Sequence, residues 1–258
     1  MDKYESFKKN IDNLTNIDLN YYKEKQMKRR ITSLMNRNGY DDFNDYFLAL
    51  KSNEDLLEQF INYLTINVSE FYRNPAQWKV LEKDILPNII NKQKSSLKVW
   101  SAACSTGEEP YSLVMLLNTF YDLRDIKILA TDIDEGAMNK AKLGLYSEKS
   151  LDNLPLTYKE KYFENLASSY KIKDEIKNQV EFKKMDLLKE PFPVNVDLIS
   201  CRNVMIYFTD EAKELLYKKF NNSLSEKGIF FVGSTEQIIL PERYNFKSVK
   251  TFFYRKKD

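Results

Sequence analysis

The sequence predicts an α/β protein with a mostly parallel sheet, preceded by a helical domain and interrupted by a small inserted subdomain. Three observations carry this. Up to about residue 72 the pattern is helical, with no Pro and a single Gly, Gly39. From Leu97 onward short apolar runs alternate with amphipathic stretches, as in strands joined by crossover helices. Between about residues 145 and 178 the alternation gives way to LYSEKSLDNLPLTYKEKYFENLASSYKIKDEIKN, which is too long for a plain connection. The expected division is therefore a helical domain over 1–72 and an α/β domain over 73–258, the latter holding the insertion.

In YYKEKQMKRRITSLMNR, Met27, Ile31, Leu34 and Met35 recur at spacings of three and four, so they share one helix face. Lys25 and Arg29 then point away from that face, with Lys28, Arg30 and Arg37 on its flanks, and Gly39 is a helix stop. The next helices carry the opposite sign through Asp41, Asp42, Asp45, Glu54, Asp55 and Glu58. Further on, LKVWSAAC reads as a buried strand, STGEEP as a turn and YSLVMLLNTFYD as a helix. IKILATDID is a second strand, with a helix through EGAMNKAKLG. QVEFKKMD, VDLISC and GIFFVGS are further strands, with the helix TDEAKELLYKKFNNSL before the last. FKSVKTFFYRKK has the length and aromatic content of an antiparallel hairpin.

Composition narrows the chemistry. The 258 residues hold 40 Lys plus Arg against 38 Asp plus Glu, a net charge of +2, which gives no reason to expect a nucleic-acid partner. There is no histidine. Ser-His and Cys-His nucleophile pairs, imidazole metal ligands and the commonest general base are thereby excluded. Cys104 and Cys201 cannot form a zinc site alone, and no metal is expected. The charged N-terminus MDKYESFKKN is no signal peptide, and no apolar run approaches the roughly 20 residues of a membrane span. Free thiols in a reducing cytoplasm follow as the simplest expectation.

Four segments carry the candidate chemistry. In strand–STGEEP–helix, the turn lies where open parallel sheets bind ligands. It is neither a dinucleotide fingerprint nor a P-loop. Glu108 and Glu109 would repel phosphate and suit a cationic or hydroxyl-bearing ligand, or they serve only the helix dipole. In ATDID, Asp132 at the strand end is placed to accept ribose hydroxyls, and Asp134 to cap the next helix. Together these favour a positively charged nucleoside without phosphates. S-adenosylmethionine fits that description and NAD fits it poorly. In CRNVMIYF, Arg202 and Asn203 appear abruptly after an apolar strand, followed by Tyr207 and Phe208; a capped strand end with aromatic packing is the alternative. In TINVSEFYRNP, Asn67, Ser69 and Arg73 are polar among apolar neighbours, and a structural ion pair is the plain reading of Arg73.

Taken together and in order, NVSEFYRN, VWSAACSTGEEPYSL, ILATDIDEGAM, FKKMDLL, CRNVMIYF and GSTEQ resemble the CheR family of chemotaxis-receptor glutamate methyltransferases. The resemblance runs from about residue 10 to the C-terminus. It implies a class I S-adenosylmethionine-dependent methyltransferase sheet with an antiparallel C-terminal strand, a helical N-terminal domain and a small inserted β-subdomain. By the family pattern, Asn67, Ser69, Arg73, Glu109, Asp132, Asp186, Leu187, Arg202 and Asn203 look like contacts to S-adenosylmethionine. Arg73 and Tyr207 would flank the reactive methyl and the incoming carboxylate. Two positions depart from relatives: Asp186 stands where Asn is frequent, and Gly233 to Glu236 (GSTE) replaces a His-containing version.

The implied reaction moves a methyl to a glutamate side chain of a chemoreceptor, leaving S-adenosylhomocysteine. The implied partner is the receptor's cytoplasmic helical bundle, which Lys25, Lys28, Arg29 and Arg30 would steer toward the cleft, unless they are merely solvated charges. YFENLASSYKIKDEI is short and glycine-free where tether-docking relatives carry a glycine-rich loop, so independence of a receptor pentapeptide tether is expected. A monomer is expected. The competing readings are a methyltransferase for RNA or a small acid, and a module that binds S-adenosylmethionine without turnover. The acidic block from Asp41 to Glu58 speaks against a basic RNA groove.

Overall fold

The computed structural model describes residues 2–90 and 97–257, which fall into two compact units, Met1–Asn67 with Ile206–Leu215 and Val68–Met205 with Leu216–Asp258. The first is built from four helices: α1 (Lys3–Thr15), α2 (Glu24–Arg37), α3 (Phe43–Ser52) and α4 (Glu54–Thr65). Asp2, Asp42 and Asn53 cap three of them, each side chain accepting a backbone N–H of the first turn. Part of the acidic run is thus explained by local folding. In α2, Met27, Ile31, Leu34 and Met35 are buried, as their spacing predicts. They join a core in which the Phe7, Tyr46 and Phe60 rings lie about the same 6 Å apart, at 6.2, 6.0 and 6.0 Å. The chain between Ile206 and Leu215 adds a short antiparallel bridge: Lys23 N–H donates to the Tyr207 carbonyl at 2.9 Å and Thr209 N–H to the Tyr21 carbonyl at 2.8 Å. Those two bonds fix the main chain that carries Tyr207.

The second unit opens with α5 (Pro75–Val80), a wide turn over Leu81–Ile85, and α6 (Leu86–Ile89). Then come β1 (Val99–Ala102), α7 (Glu108–Leu117), β2 (Ile128–Asp132) and α8 (Glu135–Leu143). The insertion follows, with β3 (Leu145–Tyr146), α9 (Leu156–Tyr162), β4 (Phe163–Asn165), β5 (Tyr170–Ile172) and α10 (Asp174–Lys177). The chain closes through β6 (Val180–Lys184), β7 (Val196–Cys201), α11 (Asp210–Ser223), β8 (Leu224–Val232), β9 (Phe246–Lys250) and β10 (Phe253–Lys256).

Seven strands form one sheet in the order β6-β2-β1-β7-β8-β10-β9. The first five are mutually parallel; β10 and β9 are antiparallel, as the closing hairpin requires. The three insertion strands pair separately as an antiparallel β3-β5-β4 sheet. β1 is buried at all four positions and β7 at all six, so the alternation expected of a one-faced sheet is absent from its centre. Trp78, Leu113, Ile128, Leu198, Phe231 and Phe253 belong to the core on one face. The outer strands instead expose Lys183 and Lys184 on β6 and Lys247 and Lys250 on β9, charges that discourage further strand pairing. From β1 the order runs to β2 on one side and to β7 on the other. That reversal opens a crevice at the carboxyl ends of β1 and β7.

Candidate active site

The turn after β1 is built on backbone that side chains rarely adopt. Ala103 and Ser105 have φ of 58° and 49°, and Gly107 has φ of 93°. A Cβ on Gly107 would also meet Ala141 Cβ at 2.8 Å, so glycine is required there by both conformation and packing. The turn is tied to β2 by Cys104 N–H to the Thr131 carbonyl at 3.0 Å and by Ser105 N–H to Asp132 Oδ2 at 2.7 Å. Asp132 Oδ1 accepts Asp134 N–H at 2.9 Å, and Asp134 caps α8 through Ala137 N–H, as its position predicts. Burial pushes the Asp132 carboxyl up to about 6, against the pull of its backbone N–H partners. The Asp132 carboxylate is thus held by the backbone N–H groups of Ser105, Asp134 and Ile133 and, with about four lone-pair sites, keeps acceptor capacity for a further donor. That capacity suits a ribose hydroxyl.

The two glutamates of STGEEP separate in role. Glu108 is buried and accepts from the Thr106 hydroxyl at 2.7 Å; burial holds its carboxyl above the usual range, with hydrogen bonds from Thr106 and Ser69 opposing. Glu109 is half-buried, takes the Ser101 hydroxyl at 3.0 Å on one oxygen and faces Arg202 Nη1 at 3.4 Å with the other. Arg202 follows directly on β7 and is only 7% exposed. Its Nη2 donates to the Arg73 carbonyl at 2.7 Å and to Gln77 Oε1 at 2.9 Å, and its guanidinium lies 4.6 Å from the Phe231 ring centroid.

Arg73 stands between two left-handed residues, Tyr72 (φ 51°) and Asn74 (φ 62°). For a residue such as Tyr72 that conformation costs roughly 1–2 kcal/mol. The segment is secured by Phe71 N–H to the Ser150 carbonyl, Tyr72 N–H to Ser112 Oγ, and Trp78 Nε1 to the Arg73 carbonyl. Arg73 Nη1 donates to the Val68 carbonyl at 3.1 Å, and among the described residues Arg73 makes no ion pair. The structural ion pair that is the plain reading of an arginine in this segment is not what forms.

Asn203, also left-handed at φ 63°, has its N–H held by Glu236 Oε2 at 2.5 Å; the same oxygen accepts Gly233 N–H at 2.9 Å. A Cβ on Gly233 would sit 2.4 Å from that oxygen. Asp186 accepts Leu188 N–H at 2.8 Å, and Lys219 Nζ donates to the carbonyls of Leu187 and Glu190, fixing the turn after β6. Burial raises the Asp186 carboxyl above the usual range.

The second unit therefore brings Ser69, Arg73, Glu109, Asp132, Asp186, Leu187, Arg202 and Asn203 onto the turns after β1, β2, β6 and β7 and the segment before α5. Asn67 and Tyr207 belong to the helical unit, as do Lys25, Lys28, Arg29 and Arg30. Asn67 Nδ2 donates to Thr65 Oγ1, and Ile66 just before it is left-handed at φ 50°, unusual for a β-branched residue. Lys25 and Arg29 are exposed, and Lys28 lies 3.6 Å from Asp2. Arg30 instead donates to the Tyr63 carbonyl, with its guanidinium 4.5 Å from the Tyr63 ring centroid. Sequence reasoning missed Gln77, Ser101, Lys219 and the role of Glu236. Of these, Ser101 and Glu236 lay in segments with a signal, VWSAACSTGEEPYSL and GSTEQ, and Gln77 and Lys219 did not.

The donor set fits S-adenosylmethionine. Carboxylates at Asp132 and Glu109 suit hydroxyls and an ammonium, and no phosphate cradle is present in the STGEEP turn. Ser200 Oγ and Arg202 Nε, at the end of β7, are buried without a partner among the described residues, which marks a strand end short of polar contacts. A doubly wound sheet with acids at its crevice suits a nucleoside ligand without phosphates. The chain belongs to the CheR methyltransferase family: residues 67–254 match the family's S-adenosylmethionine-binding domain ("CheR methyltransferase, SAM binding domain") and residues 2–65 its "all-alpha domain". It is an S-adenosylmethionine-dependent methyltransferase.

Named relatives agree. A "Chemotaxis protein methyltransferase" of Listeria innocua is 40% identical over 240 residues, 93% of this chain and 92% of that one. Proteins of the same name from Borreliella burgdorferi and Salmonella typhimurium are 34% and 32% identical, over 86% and 83% of this chain and 83% and 76% of theirs.

Proposed function

We propose that this enzyme transfers a methyl group to glutamate side-chain carboxylates of methyl-accepting chemoreceptors, forming methyl esters for sensory adaptation. The cofactor supplies an electrophilic methyl on a sulfonium and leaves as S-adenosylhomocysteine. Asp132 accepts the ribose hydroxyls; Asp186 and Leu187 hold the base or its surroundings. Asn67, Ser69, Glu109, Arg202 and Asn203 complete the contacts. A substrate glutamate near its reference pKa of about 4.3 is already ionised at neutral pH, so no general base is required. The protein's work is then alignment and exclusion of water. Arg73 orients the incoming carboxylate by charge-assisted hydrogen bonds, and Tyr207 flanks the path of the methyl.

The observation that carries this reading is Arg73: a guanidinium without an ion-pair partner among the described residues, presented on a strained segment held at four points. Arg73→Ala is expected to lower receptor methylation by about a hundredfold or more while leaving the melting temperature near wild type. Full activity in that variant would remove Arg73 from the mechanism.

In this reading the helical domain, residues 1–72, docks the receptor, and 73–258, with Asn67 and Ser69 just before them, perform the chemistry, in a cytoplasmic monomer. No helix among the described residues is long and apolar enough to cross a membrane. The insertion, about residues 145–178, works without the receptor tether. Its hairpin from β4 to β5 closes within Leu166–Ser169, with Leu166 N–H on the Ser169 carbonyl at 2.8 Å, leaving little loop to grip a peptide. Equal methylation of receptors with and without the C-terminal pentapeptide is the expected result; a strong dependence on it would reject this part.

A further inference from the structure

The Arg202 side chain counts among cofactor contacts by family resemblance, yet its hydrogen bonds in the structure go to protein. Nη1 faces Glu109 at 3.4 Å; Nη2 donates to the Arg73 carbonyl at 2.7 Å, to Gln77 Oε1 at 2.9 Å and to Asn74 Oδ1 at 3.4 Å. The guanidinium plane packs on Phe231 and Trp78, at 4.6 and 5.6 Å from their ring centroids. A second donor, Trp78 Nε1, reaches the same Arg73 carbonyl at 3.1 Å. Both lone pairs of that carbonyl are thus occupied, in the residue flanked by two left-handed neighbours. Gln77 is buried on α5, four residues beyond Arg73, and its Oε1 is the neutral acceptor that keeps Nη2 turned toward the Arg73 peptide.

We propose that Arg202 and Gln77 are positioning residues for Arg73: together with Trp78 they clamp its main-chain carbonyl and so aim its side chain at the incoming carboxylate. Glu109 anchors the other edge of the same guanidinium, so one rigid fork links the turn after β1 to the segment that carries Arg73. The inference rests on the reading of Arg73 as the carboxylate-orienting group, but it is tested at a different residue.

The experiment uses Gln77→Met in the full chain. Methionine keeps the volume and removes Nε2, a buried donor that has no partner among the described residues, while Arg202 retains Glu109 and the Arg73 carbonyl. The fold is therefore expected to survive, as a melting curve verifies. With receptor-containing membranes as substrate, kcat falls about tenfold or more, and the Kd for S-adenosylhomocysteine, measured by calorimetry, moves less than about twofold. Gln77→Glu, which preserves an acceptor for Nη2, recovers most of the lost rate. In an Arg73→Lys background, Gln77→Met costs little further, because the group it positions is already displaced. A merely structural role would show the same cost in both backgrounds. A weakened Kd with unchanged kcat would overturn the proposal and leave Arg202 with a role toward the cofactor alone. Wild-type kcat in Gln77→Met, with Arg73→Ala inactive, would overturn it while leaving the reading of Arg73 intact.

Discussion

The main-chain N–H of Ser105 donates to Oδ2 of Asp132 at 2.7 Å, joining the turn after β1 to the end of β2. With Asp134 N–H on the other oxygen, two adjacent strands converge on one buried carboxylate. The turn after β1 and the end of β2 are therefore held together through one side chain.

A pH dependence follows. Burial raises the Asp132 carboxyl to about 6, above its unfolded value. Its contribution to stability is fully present below the unfolded pKa of about 4 and is lost as pH rises through about 6. Cofactor binding has the opposite sign, because ribose hydroxyls donate to the ionised form. Affinity for S-adenosylhomocysteine should tighten as pH rises from about 5 to about 7 and then level off. Asp132→Asn accepts only one of the Ser105 and Asp134 N–H groups and should bind at least tenfold more weakly, about 1.4 kcal/mol, without that pH slope. Calorimetry across this range checks both; a parallel slope in wild type and variant would reject Asp132 as its source.

Glu236 fastens the strand end that carries Asn203. Glu236→Ala leaves two backbone N–H groups without their acceptor, a loss of about 1.5–3 kcal/mol. The melting temperature should drop about 4–10 °C, with weaker cofactor binding. Glu236→Gln keeps an acceptor oxygen and should lose less than half as much. Equal melting of the Gln and Ala variants would show that the hydrogen bonds contribute nothing.

The basic face of α2 separates into display and anchorage. Lys25 and Arg29 project to solvent, and the ion pair of Lys28 with Asp2 is exposed, which limits it to about 0–1 kcal/mol. Reversing Lys28 and Arg29 to Glu should weaken receptor methylation, most at low salt, and leave cofactor affinity unchanged. Arg30→Glu should instead lower the melting temperature, because Arg30 holds the Tyr63 carbonyl. Unaltered kinetics of the double reversal at low salt would contradict the steering role.

Much of the fold was legible in the chain because apolar period and strand-end acids are local signals. The stripe of Met27, Ile31, Leu34 and Met35 and the cap at Asp134 are where the pattern puts them. The site's mechanics were not legible. Tyr72, Ala103, Ser105 and Asn203 adopt left-handed backbone without being glycine, so no composition cue marks those turns. Arg202 meets Arg73 and Gln77 across more than a hundred residues of sequence, a pairing only the sheet order creates. Glu108 and Glu109 look alike in STGEEP, and only burial separates the structural carboxylate from the one that meets Arg202.

The central claim is an ester on a glutamate, and its chemistry gives the most direct test. Receptor-containing membranes are incubated with the enzyme and methyl-labelled S-adenosylmethionine, then washed and treated with mild base. The account predicts label on the receptor that base releases as volatile methanol, and no label when the target glutamates are replaced by alanine. Label that resists base, as on an amine or nucleobase, or label that persists without those glutamates, would contradict it.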